Sequence, residues 1–314
     1  MKLPKAVDID ALSSACLLRS EDTLFSLDGD RQGAFFDMCR GKTVLVTGAA
    51  GFIARATLEH ILNAEPRILY LLDSSENALA DLARQLATRS HRTADIDIRM
   101  RLVDVSSSLL DACIDSSGPI DIAFHFAAAK HVRSERDTAS ALRMLQVNIL
   151  GTRNLLRFLE MRGGSEMRVF AVSTDKAAEP SSLMGASKLV MESLLWGFQG
   201  VATSARFANV LFSHGSLTET WVTRLSRSEP LSTPVGAYRY FVTRREAGAL
   251  CANALVASAG VVVIPATHSV TSTSLEDLAG RFLGQFNLKA RTLQLDQYES
   301  NPESALSSVS SDGH

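Results

Sequence analysis

The stretch TVLVTGAAGFIA, residues 43–54, decides the fold of this chain. Its first five residues form a continuous apolar and β-branched run, which predicts a buried strand. Two glycines follow at positions 48 and 51, and a helical pattern then extends to about residue 63. Strand, glycine turn and helix in this order are the context that a dinucleotide-binding fingerprint requires. The stretch therefore predicts the first unit of a nucleotide-binding α/β domain.

The residues of the glycine turn predict how it would hold a cofactor. Gly48 permits the tight turn, and Gly51 lets backbone N–H groups approach a pyrophosphate at the positive end of the helix. The third glycine of the fingerprint is replaced by Ala54, which is small enough for close contact between helix and strand. We expect the cofactor to be bound by Gly48, Ala50, Gly51, Phe52 and Ile53.

Asp73 predicts the identity of that cofactor. It follows the second apolar strand, residues 67–72, where a carboxylate can accept hydrogen bonds from an adenosine ribose and repels a 2′-phosphate. This favours NAD over NADP. Residues 73–76 also fit a helix capping box, so an N-cap is an alternative role, and the two roles can coexist.

The third and fourth strands predict further contacts along the same sheet edge. The third, residues 98–103, is followed by Asp104 and Val105, which we expect near the adenine. The fourth, residues 120–126, is followed by Ala127 and Ala128, whose small side chains leave room for the cofactor. Lys130 and His131 come next, either facing a substrate or forming a solvated basic turn.

Polar residues continue after the fourth strand. Asn148 lies in a long helix predicted over residues 136–160, and its amide either bridges to a neighbouring loop or holds a water that relays protons. The strand at 168–172 is followed by Ser-Thr-Asp-Lys, residues 173–176, at the edge where open α/β sheets bind ligands. The alternative is a capped, solvated turn. A sixth strand over 204–210 contains Asn209, whose amide can meet a ligand.

This alternation of strands and helices predicts a doubly wound parallel (Rossmann) sheet with a small C-terminal lobe. We expect a lead-in at residues 1–40 and a dinucleotide-binding domain at residues 41–210. A substrate-binding lobe, interleaved with the core, follows at residues 211–297. Residues 298–314, rich in Ser, Glu and Asp, are expected to be disordered.

Composition limits the classes of function. The chain has 314 residues, of which 46% are hydrophobic and 21% charged, and its net charge of −2 gives no reason to expect nucleic acid. No apolar run approaches the roughly 20 residues of a spanning helix, and the first ten residues lack a signal core. The four cysteines are widely spaced, which favours reduced thiols over disulfides or zinc. We expect a cytoplasmic protein with no metal and no membrane insertion.

Taken together, the motifs resemble the extended short-chain dehydrogenase/reductases. The greatest similarity is to the capsular-polysaccharide branch of nucleotide-sugar 4,6-dehydratases, which act on UDP-N-acetylglucosamine with NAD. The resemblance covers roughly residues 8–290 and departs from the family pattern at residues 51–54, usually Gly-Ser-Ile-Gly, and at 231–238, which lacks a His-Pro. The matching segments are Val46–Gly51, His125–Val132, Val147–Thr152, Ser173–Ala177, Met184–Lys188, Arg206–Val210 and Arg239–Phe241.

The resemblance implies roles for individual residues. It makes Asp175 the acid that expels the C6 hydroxyl and Lys176 the base for the C5 proton. Met184 stands where most short-chain dehydrogenases carry a catalytic tyrosine, although the membrane-anchored dehydratases also carry Met there, and a thioether has no proton to exchange. Lys188 then binds the nicotinamide ribose, and Thr174 relays the C4 proton to Lys188 or to water. The residues expected to bind the substrate, a UDP-sugar, are Lys130, His131, Asn148, Asn209 and Arg239.

Three functions are compatible with the sequence. The first is a UDP-N-acetylhexosamine 4,6-dehydratase or a close variant such as a 5,6-dehydratase, and the second is an epimerase or reductase on the same nucleotide sugar. The third is a non-catalytic nucleotide-binding relative. Asp175 and Lys176 favour the first, because an epimerase needs no acid to expel the C6 hydroxyl. Apolar residues on more than one face of the helices at 136–160 and 183–200 predict a homo-oligomer, since relatives pair through these helices.

Overall fold

The computed structural model describes residues 8–19, 25, 29–88, 95–114, 118–130, 135, 137–162, 166–265, 270–288 and 293–296. Contacts divide the chain into two units. The sheet unit consists of Leu27–Arg206 and Gly248–Ile264, and the lobe unit of Met1–Ser26, Phe207–Ala247 and Pro265–His314. The residues of the lead-in are therefore divided between the two units.

A seven-stranded parallel sheet forms the sheet unit and confirms the predicted fold class. The strands lie in the order β3-β2-β1-β4-β5-β6-β10, and they are numbered along the whole chain. Every residue of the first strand is buried, as expected for a central parallel strand covered on both faces. The bounds are β1 Thr43–Thr47, β2 Ile68–Asp73, β3 Asp97–Leu102, β4 Ile122–His125, β5 Arg168–Val172, β6 Val201–Ala205 and β10 Val261–Val263.

Helices cover the sheet. A core cluster that includes Leu45, Phe158, Val169 and Met191 joins strands to helices. No helix among the residues described in this structure is long and apolar enough to cross a membrane. The helices of this unit are α2 Gly29–Cys39, α3 Phe52–Asn63, α4 Glu76–Ala87, α5 Leu110–Cys113, α6 Thr138–Leu145, α7 Thr152–Arg162, α8 Leu183–Trp196 and most of α10 Arg244–Leu255.

Two predicted elements are corrected by the structure. The long helix expected over 136–160 is interrupted, because a π-helical segment, Gln146–Gly151, separates α6 from α7. Such segments occur mostly as single turns and frequently at functional sites. The strand expected over 204–210 is two strands, because the chain leaves the sheet after Ala205 and Arg206 bonds to Glu192. Helix α2, which lies in the lead-in, was not predicted.

The lobe unit contains two small sheets, β7-β9-β11 and β8-β12. Phe282, fully buried, packs against Phe212 and Trp221 at ring-centroid distances of 5.7 and 5.8 Å. The Asp10 carboxylate accepts from Arg244 at 2.6 Å and ties the lead-in helix into this unit. Its elements are α1 Ile9–Leu17, β7 Asn209–Val210, α9 Leu217–Ser226, β8 Leu231–Pro234, β9 Tyr238–Val242, β11 Ser272–Ser274, α11 Leu275–Gly284 and β12 Leu293–Asp296.

Candidate nucleotide-binding and acid/base site

The glycine turn between β1 and α3 passes so close to the end of β4 that no side chain fits at Gly48. Gly48 has a φ of +65°, and a Cβ built on it would lie 2.6 Å from the backbone nitrogen of Ala127. Gly51 is the N-cap of α3 and provides no side-chain cap. The first turn of a helix exposes N–H groups and the positive end of the helix dipole. The turn therefore has the shape and polarity that a pyrophosphate requires.

A cleft of about 320 Å³ opens beside this turn. It brings together residues from the carboxyl ends of β1, β2, β3 and β4, as the sequence analysis expected. Arg143 also lines it and was not predicted. The predicted cofactor residues that line the cleft are Gly48, Gly51, Asp73, Asp104, Val105, Ala127 and Ala128, whereas Ala50, Phe52, Ile53 and Lys188 are not among its lining residues.

Asp73 fixes the glycine turn from the end of β2. Its Oδ2 accepts a hydrogen bond from the Ala50 N–H at 3.0 Å, and its Oδ1 accepts from the Ser75 N–H at 2.9 Å. Ser75, not Asp73, is the N-cap of α4, where it accepts from the Ala78 N–H. The alternative role of Asp73 as a helix cap is therefore wrong. Asp73 lines the cleft and braces the turn.

Asp104 is paired within the cleft. Its carboxylate accepts from the Ser106 N–H at 2.9 Å and forms an ion pair with Arg143. Burial alone would raise the pKa of Asp104, but the hydrogen bonds from Ser106 and the Arg143 guanidinium hold that pKa below its usual value. Sequence patterns do not reveal this pair, because Arg143 lies 39 residues away on an amphipathic helix.

The Thr-Asp-Lys segment forms a 3₁₀ turn, Asp175–Ala177, directly after β5. The Thr174 hydroxyl donates to Asp175 Oδ1 at 2.8 Å, and the Lys176 N–H donates to the same oxygen at 2.9 Å. Lys176 Nζ lies 3.7 Å from Asp175 Oδ1. Both side chains are half-buried. A hydroxyl, a carboxylate and an amine therefore meet at one point of the sheet edge.

Helix α8 packs its predicted residues against this turn. Met184 is buried, so its side chain fills space at the expected tyrosine position. Lys188 is also buried and donates from Nζ to the Val172 carbonyl at 3.0 Å, at the end of β5. Burial lowers the pKa of Lys188 to about 8, and the nearby Glu192 carboxylate opposes the shift.

Gly185 allows α8 to approach the turn, a role the sequence analysis missed. A Cβ at this position would lie 2.4 Å from the carbonyl oxygen of Lys176. Contacts this short are essentially never seen for real side chains, so any larger residue would push the turn and the helix apart. A glycine at the third position of a helix is the only local signal, because glycine is otherwise unfavourable there.

Asn148 is fully buried in the π-helical segment. Its Oδ1 accepts from the Ala129 N–H at 2.8 Å, and its Nδ2 donates to the Ala129 carbonyl and to Ser187 Oγ, each at 2.9 Å. The expected bridge to a neighbouring loop is therefore present. The amide links the loop after β4 to α8.

His125 was not predicted as a functional residue, but it is the buried centre of a second polar link. Thr152 Oγ1 donates to the Asn148 carbonyl at 2.7 Å, so it accepts from His125 Nε2 at 2.9 Å. His125 Nδ1 then accepts from Thr47 Oγ1 at 2.7 Å. Burial, reinforced by the Lys188 ammonium, lowers the pKa of His125 to about 3.

Four of the predicted substrate-binding residues remain, namely Lys130, His131, Asn209 and Arg239. Lys130 is exposed after β4, and His131 lies outside the described residues. Asn209 and Arg239 belong to the lobe unit, where Asn209 Nδ2 donates to the Tyr240 carbonyl at 3.3 Å. Among the residues that the structure describes, no group of three or more His, Cys, Asp or Glu side chains can hold a metal ion.

The sequence matches the polysaccharide biosynthesis protein family over residues 44–299, and the chain belongs to this family. An uncharacterised membrane protein of Methanocaldococcus jannaschii is 30% identical over 259 residues, which cover 77% of this chain and 73% of that protein. The capsular polysaccharide biosynthesis protein CapD of Staphylococcus aureus is 30% identical over 223 residues, 67% of this chain. The chain spans only 35% of the length of CapD.

A UDP-N-acetylglucosamine 4,6-dehydratase (inverting) of Campylobacter jejuni is 26% identical over 188 residues, covering 57% of this chain and 52% of that protein. Among solved structures, the Streptomyces venezuelae dTDP-glucose 4,6-dehydratase DesIV, with NAD bound, has a TM-score of 0.68 at 22% identity and coverages of 81% and 84%. A UDP-Glc/GlcNAc 4-epimerase from Campylobacter jejuni has a TM-score of 0.64 at 19% identity and coverages of 83% and 88%. The resemblance expected from the sequence is confirmed.

The buried His125 predicts a specific dependence of stability on pH. The unfolded imidazole takes up a proton below about pH 6.5, and the folded one only below about pH 3. Between these values the unfolded state binds more protons, so the free energy of unfolding decreases as pH falls, by about 1.4 kcal/mol per pH unit. Between pH 7 and pH 4.5, the free energy of unfolding measured with urea should fall by roughly 2–3 kcal/mol less in His125→Asn than in the wild-type chain.

The exposed His214 provides the matched control. His214→Gln should stay close to the wild-type pH dependence, because the exposed His214 ring and its partner Glu219 form a surface pair that contributes at most about 1 kcal/mol. His60, whose pKa burial also lowers, contributes equally to all three proteins. An identical loss of stability on acidification in His125→Asn and wild type would contradict the neutral, buried state of His125.

Proposed function

We propose that the chain is an NAD-dependent dehydratase of a UDP-N-acetylhexosamine, with UDP-N-acetylglucosamine as the simplest substrate. The product would be a 4-keto-6-deoxy sugar nucleotide. The observation that carries the proposal is that a carboxylate and an amine meet at the carboxyl end of β5, where Lys176 Nζ lies 3.7 Å from Asp175 Oδ1. This acid/base pair lies on the same sheet edge as the glycine cleft. The names of the family and of a relative give further support, because they refer to polysaccharide biosynthesis and to a nucleotide-sugar dehydratase.

The residues present fit a dinucleotide cofactor. Gly48 lets the turn pass close against the end of β4, and the cleft beside it continues past the Asp73 carboxylate to Val105. Gly51 and the first turn of α3 would hold the pyrophosphate, and Asp73 the adenosine ribose. Lys188 would hold the nicotinamide ribose. When bound, NAD supplies a reversible two-electron oxidant for C4 of the sugar, so it is regenerated within each turnover.

The side chains of the Thr-Asp-Lys turn would move the protons. The C4 hydroxyl proton passes through Thr174 to water, and Asp175, whose Oδ1 accepts from the Thr174 hydroxyl at 2.8 Å, takes up its own proton from solvent. Lys176 removes the C5 proton, made acidic by the C4 ketone. Asp175 gives its proton to the C6 hydroxyl as the C6–O bond breaks, and water leaves. Lys176 returns a proton to C5 when C6 is reduced, so the net change is the loss of one water.

An epimerase or reductase on the same nucleotide sugar is the second candidate. The solved 4-epimerase shares the fold, and the Rickettsia bellii UDP-glucose 4-epimerase is 26% identical over 202 residues. Both reactions begin at C4, so the cofactor site does not separate them. The mass of the product separates the reactions, because epimerisation leaves the mass unchanged, reduction increases it and dehydration lowers it by one water. A 5,6-dehydratase would also remove water and is distinguished by the NMR spectrum of its product.

The roles within the turn predict a graded series of variants. With UDP-N-acetylglucosamine and NAD, Lys176→Ala should lose water elimination by on the order of 10²–10⁴-fold, because no base removes the C5 proton. Asp175→Asn should lose elimination to a similar degree, yet solvent deuterium should still enter C5, because Lys176 remains. Mass spectrometry of the sugar nucleotide in deuterated water measures both.

Met184→Ala is the comparison variant. Its thioether takes no part in proton transfer, so this variant should lose far less activity than Lys176→Ala. If Met184→Ala is equally inactive while it remains folded and binds NAD, the assignment of roles is wrong. If the wild-type protein binds NAD but leaves the substrate unconverted, the result would support the non-catalytic alternative. If it converts the substrate to an isomer of the same mass, the result would support the epimerase.

The position of Asp73 predicts the choice of cofactor. A 2′-phosphate beside this carboxylate meets repulsion of about 1 kcal/mol or more, so calorimetry should give tighter binding of NAD than of NADP. Asp73→Asn should shift the ratio of the two affinities toward NADP by about fivefold or more. Asp111→Ala removes an equal charge at an exposed site outside the cleft and should leave the ratio unchanged. Tighter NADP binding by the wild type would contradict the assignment.

Exposed apolar residues support the expected homo-oligomer. Leu142 on α6 is 61% exposed, and Leu189 and Val190 on the adjacent α8 are 38% and 42% exposed. We expect light scattering at micromolar concentration to give a mass above 33.9 kDa, and Val190→Asp to return it to that monomer value. Leu109→Asp, at another exposed leucine, should retain the oligomer. A wild-type protein that is monomeric at this concentration would contradict the expectation.

A further inference from the structure

Glu135 makes a long-range contact with the first turn of α8. Its Oε1 accepts a hydrogen bond from the Met184 N–H at 2.8 Å, across 49 residues of sequence. Met184 is the second residue of the helix, so its N–H has no partner within the helix. The N-cap Ser182 accepts from the Gly185 N–H at 3.1 Å and leaves the Met184 donor to Glu135. The carboxylate therefore satisfies a specific donor of the helix N-terminus.

The carbonyl of Met184 also accepts a hydrogen bond. The Ser187 hydroxyl donates to the Met184 carbonyl at 2.8 Å, and Ser187 Oγ in turn accepts from Asn148 Nδ2 at 2.9 Å. Asn148 and Ser187 are fully buried. The backbone of Met184 is thus clamped at its N–H by Glu135 and at its carbonyl by Ser187. Neither contact depends on the Met184 side chain.

This clamp acts directly beside the candidate base. Gly185, the next residue, faces the Lys176 carbonyl so closely that a Cβ would lie 2.4 Å from its oxygen and 3.2 Å from its carbon. A small displacement of the first turn of α8 would therefore press on the backbone of Lys176. Rates of proton transfer depend steeply on such placement, because the reacting groups must lie within hydrogen-bond reach.

We propose that Glu135 is a positioning residue for Lys176. By accepting a hydrogen bond from the Met184 N–H, it fixes the distance between the first turn of α8 and the backbone of Lys176. The role of Lys176 as the C5 base rests on the proposed function. Glu135 acts through hydrogen-bond acceptance and not as a proton acceptor for the sugar. A glutamine at this position keeps an acceptor oxygen, so it should keep the function.

The experiment compares Glu135→Ala, Glu135→Gln and the control Glu166→Ala, an exposed glutamate away from this turn. Hydrogen exchange at the Met184 amide is measured on the full chain. Glu135→Ala should speed exchange of this amide by about tenfold, since one hydrogen bond is lost, whereas Glu135→Gln and the control should remain near wild type. This measurement needs no substrate.

The second readout is kinetic. Glu135→Ala should lower kcat for water elimination from UDP-N-acetylglucosamine by about tenfold or more with little change in KM, and Glu135→Gln should restore it. If Glu135→Gln is as inactive as Glu135→Ala while the Met184 amide stays protected, Glu135 acts through its charge and the proposal is overturned. Unchanged exchange and unchanged kcat in Glu135→Ala also overturn it.

The two proposals fail separately. If the wild type removes no water from the sugar nucleotide but Glu135→Ala still speeds exchange at Met184 and Glu135→Gln does not, the proposed function is wrong and the clamp on α8 stands. If the wild type is active and the exchange of the Met184 amide is insensitive to Glu135→Ala, the clamp is wrong and the proposed function stands.

Discussion

The cleft exists because the backbone after β1 passes close against the end of β4. A Cβ at Gly48 would lie 2.6 Å from the Ala127 nitrogen, and the turn has a positive φ that other residues rarely adopt. Any side chain at this position would separate two neighbouring strands of the sheet at their carboxyl ends. The Asp73 carboxylate, which accepts from the Ala50 N–H, then fixes the turn. The geometry of the candidate nucleotide site thus depends on one close backbone approach.

A chain of buried hydrogen bonds connects that approach to helix α8, which packs against the Thr-Asp-Lys turn. It begins at Thr47 on β1, crosses His125 and Thr152, and continues from Asn148 to Ser187 on α8. All five residues are fully or nearly fully buried, where an unpaired polar group would be costly. The π-helical segment brings both the carbonyl and the amide of Asn148 into this chain. Displacement at either end would therefore leave buried polar groups without their hydrogen bonds, at a cost in free energy.

Local sequence signals predicted the parts of this site but not their connections. The strands of the sheet were recognisable as short apolar runs, and Gly48 and the Thr-Asp-Lys turn were found because they directly follow such runs. The contacts of Arg143 with Asp104 and of Glu135 with Met184 join residues 39 and 49 positions apart, and no periodicity marks them. The π-helical segment was missed because its residues also fit an ordinary helical pattern.

The central claim is that the glycine cleft and the Thr-Asp-Lys turn serve one cofactor and one sugar. A crystal structure of Lys176→Ala with NAD and UDP-N-acetylglucosamine tests it most directly, because the variant removes the candidate base while Gly185 still fixes the turn. The account predicts the NAD pyrophosphate at Gly48 and Gly51, with C5 and C6 of the sugar facing position 176 and Asp175. A dinucleotide bound away from the glycine turn, or a sugar whose C6 points away from Asp175, would contradict it.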